Sequence, residues 1–442
     1  MSHRVLIISP KFPPINAADH QRVRMSLPYF QEFGWEPWIL TVRPDRVEAV
    51  NDPLLTKTVP AQIPVTQINA LPTQLTRRLG LGDLGWRCLP YLQKTGHQLL
   101  ASGKFDLIYF STTVFLTMAL ASHWQQRFGI PYVLDFQDPW LSDYYGRSSP
   151  TQPPGGWLKY QFAQWVARTQ EPQAMRRVSQ IISVSPAYPK MLRQRYPWLS
   201  ENQFTVLPFG APEMDFERLP ALQVRQSIFD PNDGKRHWVY VGRGGKDMEL
   251  ALRALFSAIH SERQRHPEAW NNIRLHFVGT SYAPPAQAVK TVEPIAQELG
   301  IADLVAEYPQ RLPYFESLQL LVESDAILLI GSDDPSYTAS KLYPCILARK
   351  PIVAIFHYQS SVVGVLEQCQ AGQAVTFRAT DHPEDLVKDV IAKLNWLLSS
   401  SKGTVPKTNW SAFQPYTARE MTRQQCAVFD RCLTLAPQEK FA

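Results

Sequence analysis

Three short stretches of this 442-residue chain combine charged and small residues at places where an anion could be held. The first, Gly242-Arg-Gly-Gly-Lys-Asp247, follows the apolar run His237-Trp-Val-Tyr-Val241 and precedes a helix-forming stretch. A glycine-rich turn between strand and helix presents free backbone N–H groups, and Arg243 and Lys246 add fixed cations that stabilise developing phosphate charge without reorganising. Read plainly, the same turn is a loop with solvated charges, and it lacks the full spacing of a dinucleotide fingerprint. The second stretch, Ser332-Asp-Asp-Pro-Ser-Tyr-Thr-Ala-Ser-Lys-Leu-Tyr343, lies between the runs Ala326–Gly331 and Pro351–Phe356. With Ser340 as N-cap and Lys341 as the first helical residue, it brings N–H groups and a cation to one anion site, or else forms an ordinary capped strand-to-helix turn. The third is Asp135-Phe-Gln-Asp-Pro-Trp140, closing the apolar run that starts at Tyr132. Ligands of open α/β sheets sit at the carboxyl ends of strands, so Asp138 is aimed at such a crevice, unless the Asp-Pro-Trp segment is only a turn whose Trp140 packs.

These stretches need strands to carry them. Val5–Ser9, Trp38–Val42, Leu107–Ser111, Tyr132–Phe136, Gln180–Ser185 and Phe204–Gly210 are short apolar runs without polar alternation, as expected for parallel strands covered on both faces. A helix is expected over about His20–Phe33, stopped by Gly34. Ala211–Lys235 is rich in turn residues, and beyond it the pattern restarts with His237–Gly242, Arg274–Val278, Val305–Tyr308 and the two runs flanking Ser332–Tyr343. Strands separated by helical stretches imply right-handed βαβ units. The reading is α/β: a first doubly wound domain over 1–212, a second over 213–415, and a helical segment over 416–442 with apolar residues at helical spacing.

Composition narrows the classes. Hydrophobic residues make up 45% and charged residues 19%, enough for sizeable cores. A balance of 45 Lys+Arg against 39 Asp+Glu gives +6, with no block of like charge, which argues against a nucleic-acid partner and leaves room for peripheral contact with an anionic membrane. Arg77-Arg78 with Leu79, Leu81, Leu84, Trp86 and Leu89 reads either as a membrane-facing amphipathic patch or as a segment folded over the first domain. The five scattered cysteines show no metal or disulfide spacing, and the histidines no ligand spacing, so a reduced cytoplasmic setting and no metal are expected.

The order of these pieces resembles the family 4 glycosyltransferases, through Ser9-Pro-Lys-Phe-Pro-Pro14 with Arg22, Gly129–Trp140, Val241–Lys246 and Asp334–Pro351. That resemblance implies the GT-B fold, two Rossmann-like domains facing across a cleft with a C-terminal crossover helix. It implies transfer of a sugar from a nucleotide-diphosphate sugar to a glycan, lipid-linked or small-molecule acceptor, with retention and without a cofactor or metal. By the same resemblance Arg243 and Lys246 grip the diphosphate with Ser340 and Lys341, Asp334 or Ser336 meets the sugar, Arg311 lies in the base-contacting loop, and Asp138 stands near the reacting carbon. Arg22 is either a phosphate or acceptor contact or a solvated helix charge. The chain departs from the family where paired glutamates are usual: the positions hold Ser336 and Pro344. The rival implied by that departure is a non-catalytic GT-B protein that binds a nucleotide sugar as a sensor or assembly partner; a sugar epimerase on the same fold has no motif of its own.

Overall fold

The computed structural model describes residues 2–78, 80–141, 156–281, 283, 287–334 and 341–435. It forms two compact units, one running to Gly210 and taking in the chain again from Ala418, the other spanning Ala211–Thr417.

In the first unit seven strands, β1 (His3–Ile8), β2 (Trp35–Val42), β3 (Val65–Ile68), β4 (Leu107–Ser111), β5 (Tyr132–Phe136), β6 (Gln180–Ser183) and β7 (Phe204–Val206), pair in the order β3-β2-β1-β4-β5-β6-β7. Every pairing is parallel. Six helices of this stretch are α1 (Gln21–Ser26), α2 (Thr73–Arg78), α3 (Leu84–Ala101), α4 (Leu120–Phe128), α5 (Trp157–Met175) and α6 (Ala187–Arg195). The uninterrupted apolar runs serve two cores at once, because successive side chains of a strand point to opposite faces. Val5 and Ile7 enter one core while Leu6 and Ile8 enter the other.

The second unit repeats the scheme with β8 (Arg236–Val241), β9 (Ile273–Val278), β10 (Val305–Tyr308), β11 (Ala326–Ile330), β12 (Ile352–His357) and β13 (Gln373–Phe377), in the order β10-β9-β8-β11-β12-β13, again all parallel. Its helices are α7 (Glu213–Leu222), α8 (Glu249–Arg265), α9 (Pro267–Trp270), α10 (Glu293–Glu298), α11 (Tyr314–Glu323), α12 (Leu342–Leu347), α13 (Ser361–Cys369), α14 (Pro383–Ser399) and α15 (Trp410–Phe413). Ala326, Leu328 and Ile330 fill one core and Ile327 and Leu329 the other.

Two expectations need correcting. The helix expected over His20–Phe33 ends at Ser26, with Pro28 two residues on, and the chain continues as a short 3-10 turn, Phe30–Phe33, closed by left-handed Gly34. Proline has no N–H to continue a helical ladder. The other concerns Arg77 to Leu89, of whose two readings the packing favours a segment folded over the first domain: α3 lies on the sheet with Leu84, Cys88 and Leu92 buried, and buried Arg87 donates to the Leu71 and Arg46 carbonyls. Leu79 lies outside the described residues. Among the described residues no helix is long and apolar enough to cross a membrane.

The last helix, α16 (Ala418–Leu435), packs in the first unit. Its apolar spacing puts Met421, Cys426, Val428, Phe429 and Cys432 into the core beneath β1 and β4. Phe429 is the centre, with Trp35, Tyr109 and Phe30 at 5.2, 5.1 and 6.2 Å between ring centroids. Trp35 Nε1 donates to Asp430 and Ser26 Oγ to Gln425. Phe429→Ala should therefore lower the stability of this unit by about 3–5 kcal/mol, the range for a buried aromatic lost to a cavity. Chemical denaturation checks it, and a loss below about 1 kcal/mol would show the helix to be dispensable to the core.

Candidate functional site

β8 and β11 are neighbours although β9 and β10 lie between them in sequence, so the order of the second sheet reverses at that pair. Crevices at such reversals, at the carboxyl ends of the strands, are where open parallel sheets hold ligands. The loop from Gly242 leaves β8 there and the loop from Gly331 leaves β11 there. They are tied together: Asp333 N–H donates to the Asp247 carbonyl at 2.8 Å, and buried Ser332 bonds the Asp247 carboxylate.

The glycine-rich loop is held close to its supports. Tyr240 Oη donates to the Arg243 carbonyl at 2.7 Å and Gly244 N–H to the Thr280 carbonyl at 2.7 Å. A Cβ at Gly242 would stand 2.3 Å from Tyr240 Oη, and one at Gly244 2.3 Å from Thr291 Oγ1, so neither position admits a side chain without moving the loop. Arg243 grips Asp247 with both terminal nitrogens, at 2.9 and 2.6 Å, which holds the Asp247 carboxyl below its usual range and fixes the guanidinium plane.

Lys341 comes to the same crevice from the β11 side. Burial, then the charges of Arg311 and Arg243, push its pKa down to about 8. Arg311 follows β10 and runs over Gly279, which has φ +75°. Among the described residues no carboxylate lies within ion-pair range of Lys341. Three cations thus converge, and an ammonium sits there against both desolvation and like charge. Such perturbation by burial plus specific charges marks functional sites more often than structural ones.

The sequence reading is corrected in two respects. Lys246 is exposed on a 3-10 turn, and it is Arg311 rather than Lys246 whose charge, with that of Arg243, reaches Lys341. The helix also begins one residue later than expected: Lys341 is its N-cap and Leu342 its first residue. Asp334 is exposed beside the crevice, its N–H bonded to Ser332 Oγ. Ser336 and Ser340 lie outside the described residues.

The first sheet reverses between β1 and β4, and a second cluster forms there. Asp19 is buried, and its Oδ2 accepts from Thr112 Oγ1, Thr113 N–H and Thr113 Oγ1 at 3.2, 3.3 and 3.2 Å, with Lys11 Nζ at 3.8 Å. Its Oδ1 is buried without a hydrogen-bond partner among the described residues. Asp138, at the end of β5, opens to solvent, while the protein packed around its carboxyl and the Asp19 charge raise its pKa. Tyr188 of α6 feels the Asp138 charge, after burial, and its hydroxyl is likewise raised. Trp140 packs, stacking on Phe115 at 5.8 Å, while Asp138 is exposed.

Arg22 is neither a ligand contact nor a solvated charge. It has no exposed surface: Nε donates to Asp135 at 2.9 Å, the terminal nitrogens donate to the Leu207 and Pro208 carbonyls, and Phe209 lies 5.0 Å from the guanidinium. Asp135 Oδ2 also accepts from Tyr109, Ser111 and Gln137. Arg22 is thus the counter-ion that lets a carboxylate sit inside a fully buried strand. Asp19, Asp247 and Glu171 escaped the sequence reading. Glu171 is buried on α5, accepts from Leu141 N–H, Arg195 and Tyr196, and so pins the chain just after Trp140.

Residues 20–210 match the family model described as a glycosyl transferase 4-like domain. The whole chain is similar in structure to the Anabaena protein HepE solved in complex with UDP and glucose, at 16% identity over 97% of this chain and 99% of that one, with a TM-score of 0.57. It is similar to a glycosyltransferase from Rickettsia africae, at 11% identity over 98% and 99%, TM-score 0.55. A UDP-forming α,α-trehalose-phosphate synthase from Burkholderia vietnamiensis matches at 11% over 97% and 99%, TM-score 0.55. No curated protein matches the sequence. The fold is GT-B, and the resemblance to family 4 glycosyltransferases stands, carried by the family match in the first half.

The field at Lys341 has a measurable consequence. Between about pH 8 and its ordinary value of 10.5 the unfolded chain holds a proton that the folded chain has shed, so this residue makes stability rise with pH in that window. Below about pH 8 both states are protonated and the full cost of the buried charge is present. Lys341→Met should therefore raise the melting temperature at pH 7, and the gain should shrink by pH 10. A variant no more stable than the parent at pH 7 would place the ammonium in open water.

Proposed function

We propose that this GT-B chain is a glycosyltransferase that moves a sugar from a nucleotide-diphosphate sugar to a glycan, lipid-linked or small-molecule acceptor. The observation that carries the reading is the convergence of Arg243, Arg311 and Lys341 at the strand-order reversal of the second sheet, with Lys341 held there at the expense of its own protonation. A cluster of like charges is stabilised by an anion, and a nucleoside diphosphate supplies charge of the right sign and extent. That HepE was solved with UDP and glucose supports the donor class.

In the proposed step the bond between the anomeric carbon and the diphosphate oxygen breaks, and its electron pair leaves on the nucleoside diphosphate. Arg243, Arg311 and Lys341 stabilise that charge as it develops. The acceptor oxygen bonds to the carbon on the face the leaving group vacates, giving retention, and its proton passes to the departing phosphate oxygen. Asp138 of the first unit orients the acceptor hydroxyl, its carboxyl raised in pKa by burial and then by the Asp19 charge. Since side chains supply the positive charge, no divalent ion is needed, and transfer should persist in EDTA.

A second reading, a binding protein without turnover, is favoured by one observation: Pro344, the third residue of α12, and Ser336 stand where the resembled family has carboxylates. Binding and chemistry must therefore be measured separately, with UDP as the probe in titration calorimetry and UDP release from UDP-glucose as the activity. Arg243→Ala should weaken UDP by tenfold or more, since charge-assisted hydrogen bonds contribute about 1.5–3 kcal/mol. Asp138→Asn should leave UDP affinity intact and lower turnover by roughly a hundredfold. UDP binding that ignores Arg243 removes the donor site, whereas binding without any UDP release across nucleotide sugars leaves the sensor.

A further inference from the structure

One surface of the first unit belongs to neither cluster. On α5, Trp157, Leu158, Phe162 and Trp165 are 44, 90, 41 and 61% exposed. Leu158, Phe162 and Trp165 fall at positions i, i+4 and i+7 of the helix, so they share a stripe. That stripe is ordered by its own contacts: Phe162 stacks on Trp165 at 6.0 Å and on Trp86 of α3 at 6.2 Å, and Trp157 meets Tyr160 edge-on at 5.6 Å. The opposite side of the helix, with Val166, Ala167, Ala174 and Met175, is buried. A helix that merely covered the sheet would turn polar residues outwards, and this one turns out two indoles, a phenyl ring and a leucine.

The charges around the stripe identify what it fits. From Trp157 to Gln170 the helix carries Lys159 and Arg168, both exposed, and no acidic residue. The next residue, Glu171, is buried and committed to Arg195, Tyr196 and the Leu141 N–H. Indoles settle at the level of lipid headgroups, aliphatic and phenyl side chains reach the acyl boundary, and lysine and arginine beside them meet anionic headgroups. Carboxylates, which would be repelled there, are missing from the exposed run.

We infer that this face of α5 docks the first unit on an anionic lipid surface, with Leu158 and Trp165 entering the interface and Lys159 and Arg168 against the headgroup phosphates. Docking of this kind is peripheral and reversible, because four side chains bury little area and no helix among the described residues is long and apolar enough to cross a bilayer. It does not depend on the transfer reaction, since a nucleotide-sugar sensor could carry the same face.

Vesicle co-flotation tests it, with the full chain on phosphatidylcholine vesicles containing phosphatidylglycerol, on phosphatidylcholine alone, and with the double variant Leu158→Ser, Trp165→Ser. Both substituted side chains point to water, so melting temperature and UDP affinity should be unchanged. The parent should float with anionic vesicles and far less with neutral ones. The double variant should lose roughly tenfold or more in partitioning, as removal of buried apolar side chains implies. Equal flotation of parent and variant, or no flotation of the parent on anionic vesicles, overturns the inference. So does sedimentation of the parent as a dimer that the double variant dissociates, which would make the stripe a contact between copies of this chain.

Discussion

Both units are organised by one constraint: an all-parallel sheet covered on both faces has no solvent-facing side on which to place charge. Strands such as Val5–Ile8 and Ala326–Ile330 are consequently apolar throughout, and polar chemistry is displaced to the loops at their ends. Because the strand order reverses once in each sheet, two loops diverge at β1 and β4 and again at β8 and β11, leaving room for side chains to meet. Asp19 and Asp138 meet at the first sheet, and Arg243, Arg311 and Lys341 at the second. The exception is Asp135, inside a strand with no exposed residue. It is tolerated because Arg22, Tyr109, Ser111 and Gln137 all donate to one of its oxygens, and removing one partner of such a buried pair typically costs about 3–5 kcal/mol.

The two clusters have opposite electrostatic character. At the second sheet like positive charges are forced together and lower the pKa of Lys341. At the first, two carboxylates lie close enough for Asp19 to raise Asp138. Each arrangement carries an electrostatic cost in the free protein. Neighbouring groups would have been free to neutralise these charges during folding, and Asp247 does so for Arg243. No described carboxylate does so for Lys341.

Much of the fold was legible in the sequence for the same reason. A strand buried on both faces reads as a continuous apolar run, and nearly all such runs proved to be strands. The edge strand β3, Val65-Thr-Gln-Ile68, is half exposed and carries no such signal. Loop positions could be read, because they follow strands, but side-chain partners could not. Arg22 reads as a phosphate or acceptor contact or as a solvated helix charge, yet it is buried against carbonyls 185 and 186 residues away. The sequence shows Arg243 and Lys246 three apart, but not that a 3-10 turn leaves Lys246 exposed and pairs Arg243 with Asp247. The sequence signal for Asp19 is a carboxylate closing the loop that leaves the first strand.

Pro344 shows how little backbone consequence the loss of the usual glutamate has. As the third residue of α12 it falls where a helix has no internal acceptor for its N–H, so proline there gives up no ladder bond. Tyr343 beside it is buried, stacked on Tyr416 at 5.6 Å and edge-on to Phe413 at 6.3 Å, and Cys345 and Ile346 complete a helix face set into the core. The helix is thus placed by its apolar face, independently of the residue at 344. A substitution that leaves helix placement alone changes only what the helix offers a ligand, here one carboxylate fewer beside three cations. The difference from the resembled family is therefore one of side-chain chemistry at the start of α12, with Arg243, Arg311 and Lys341 untouched by it.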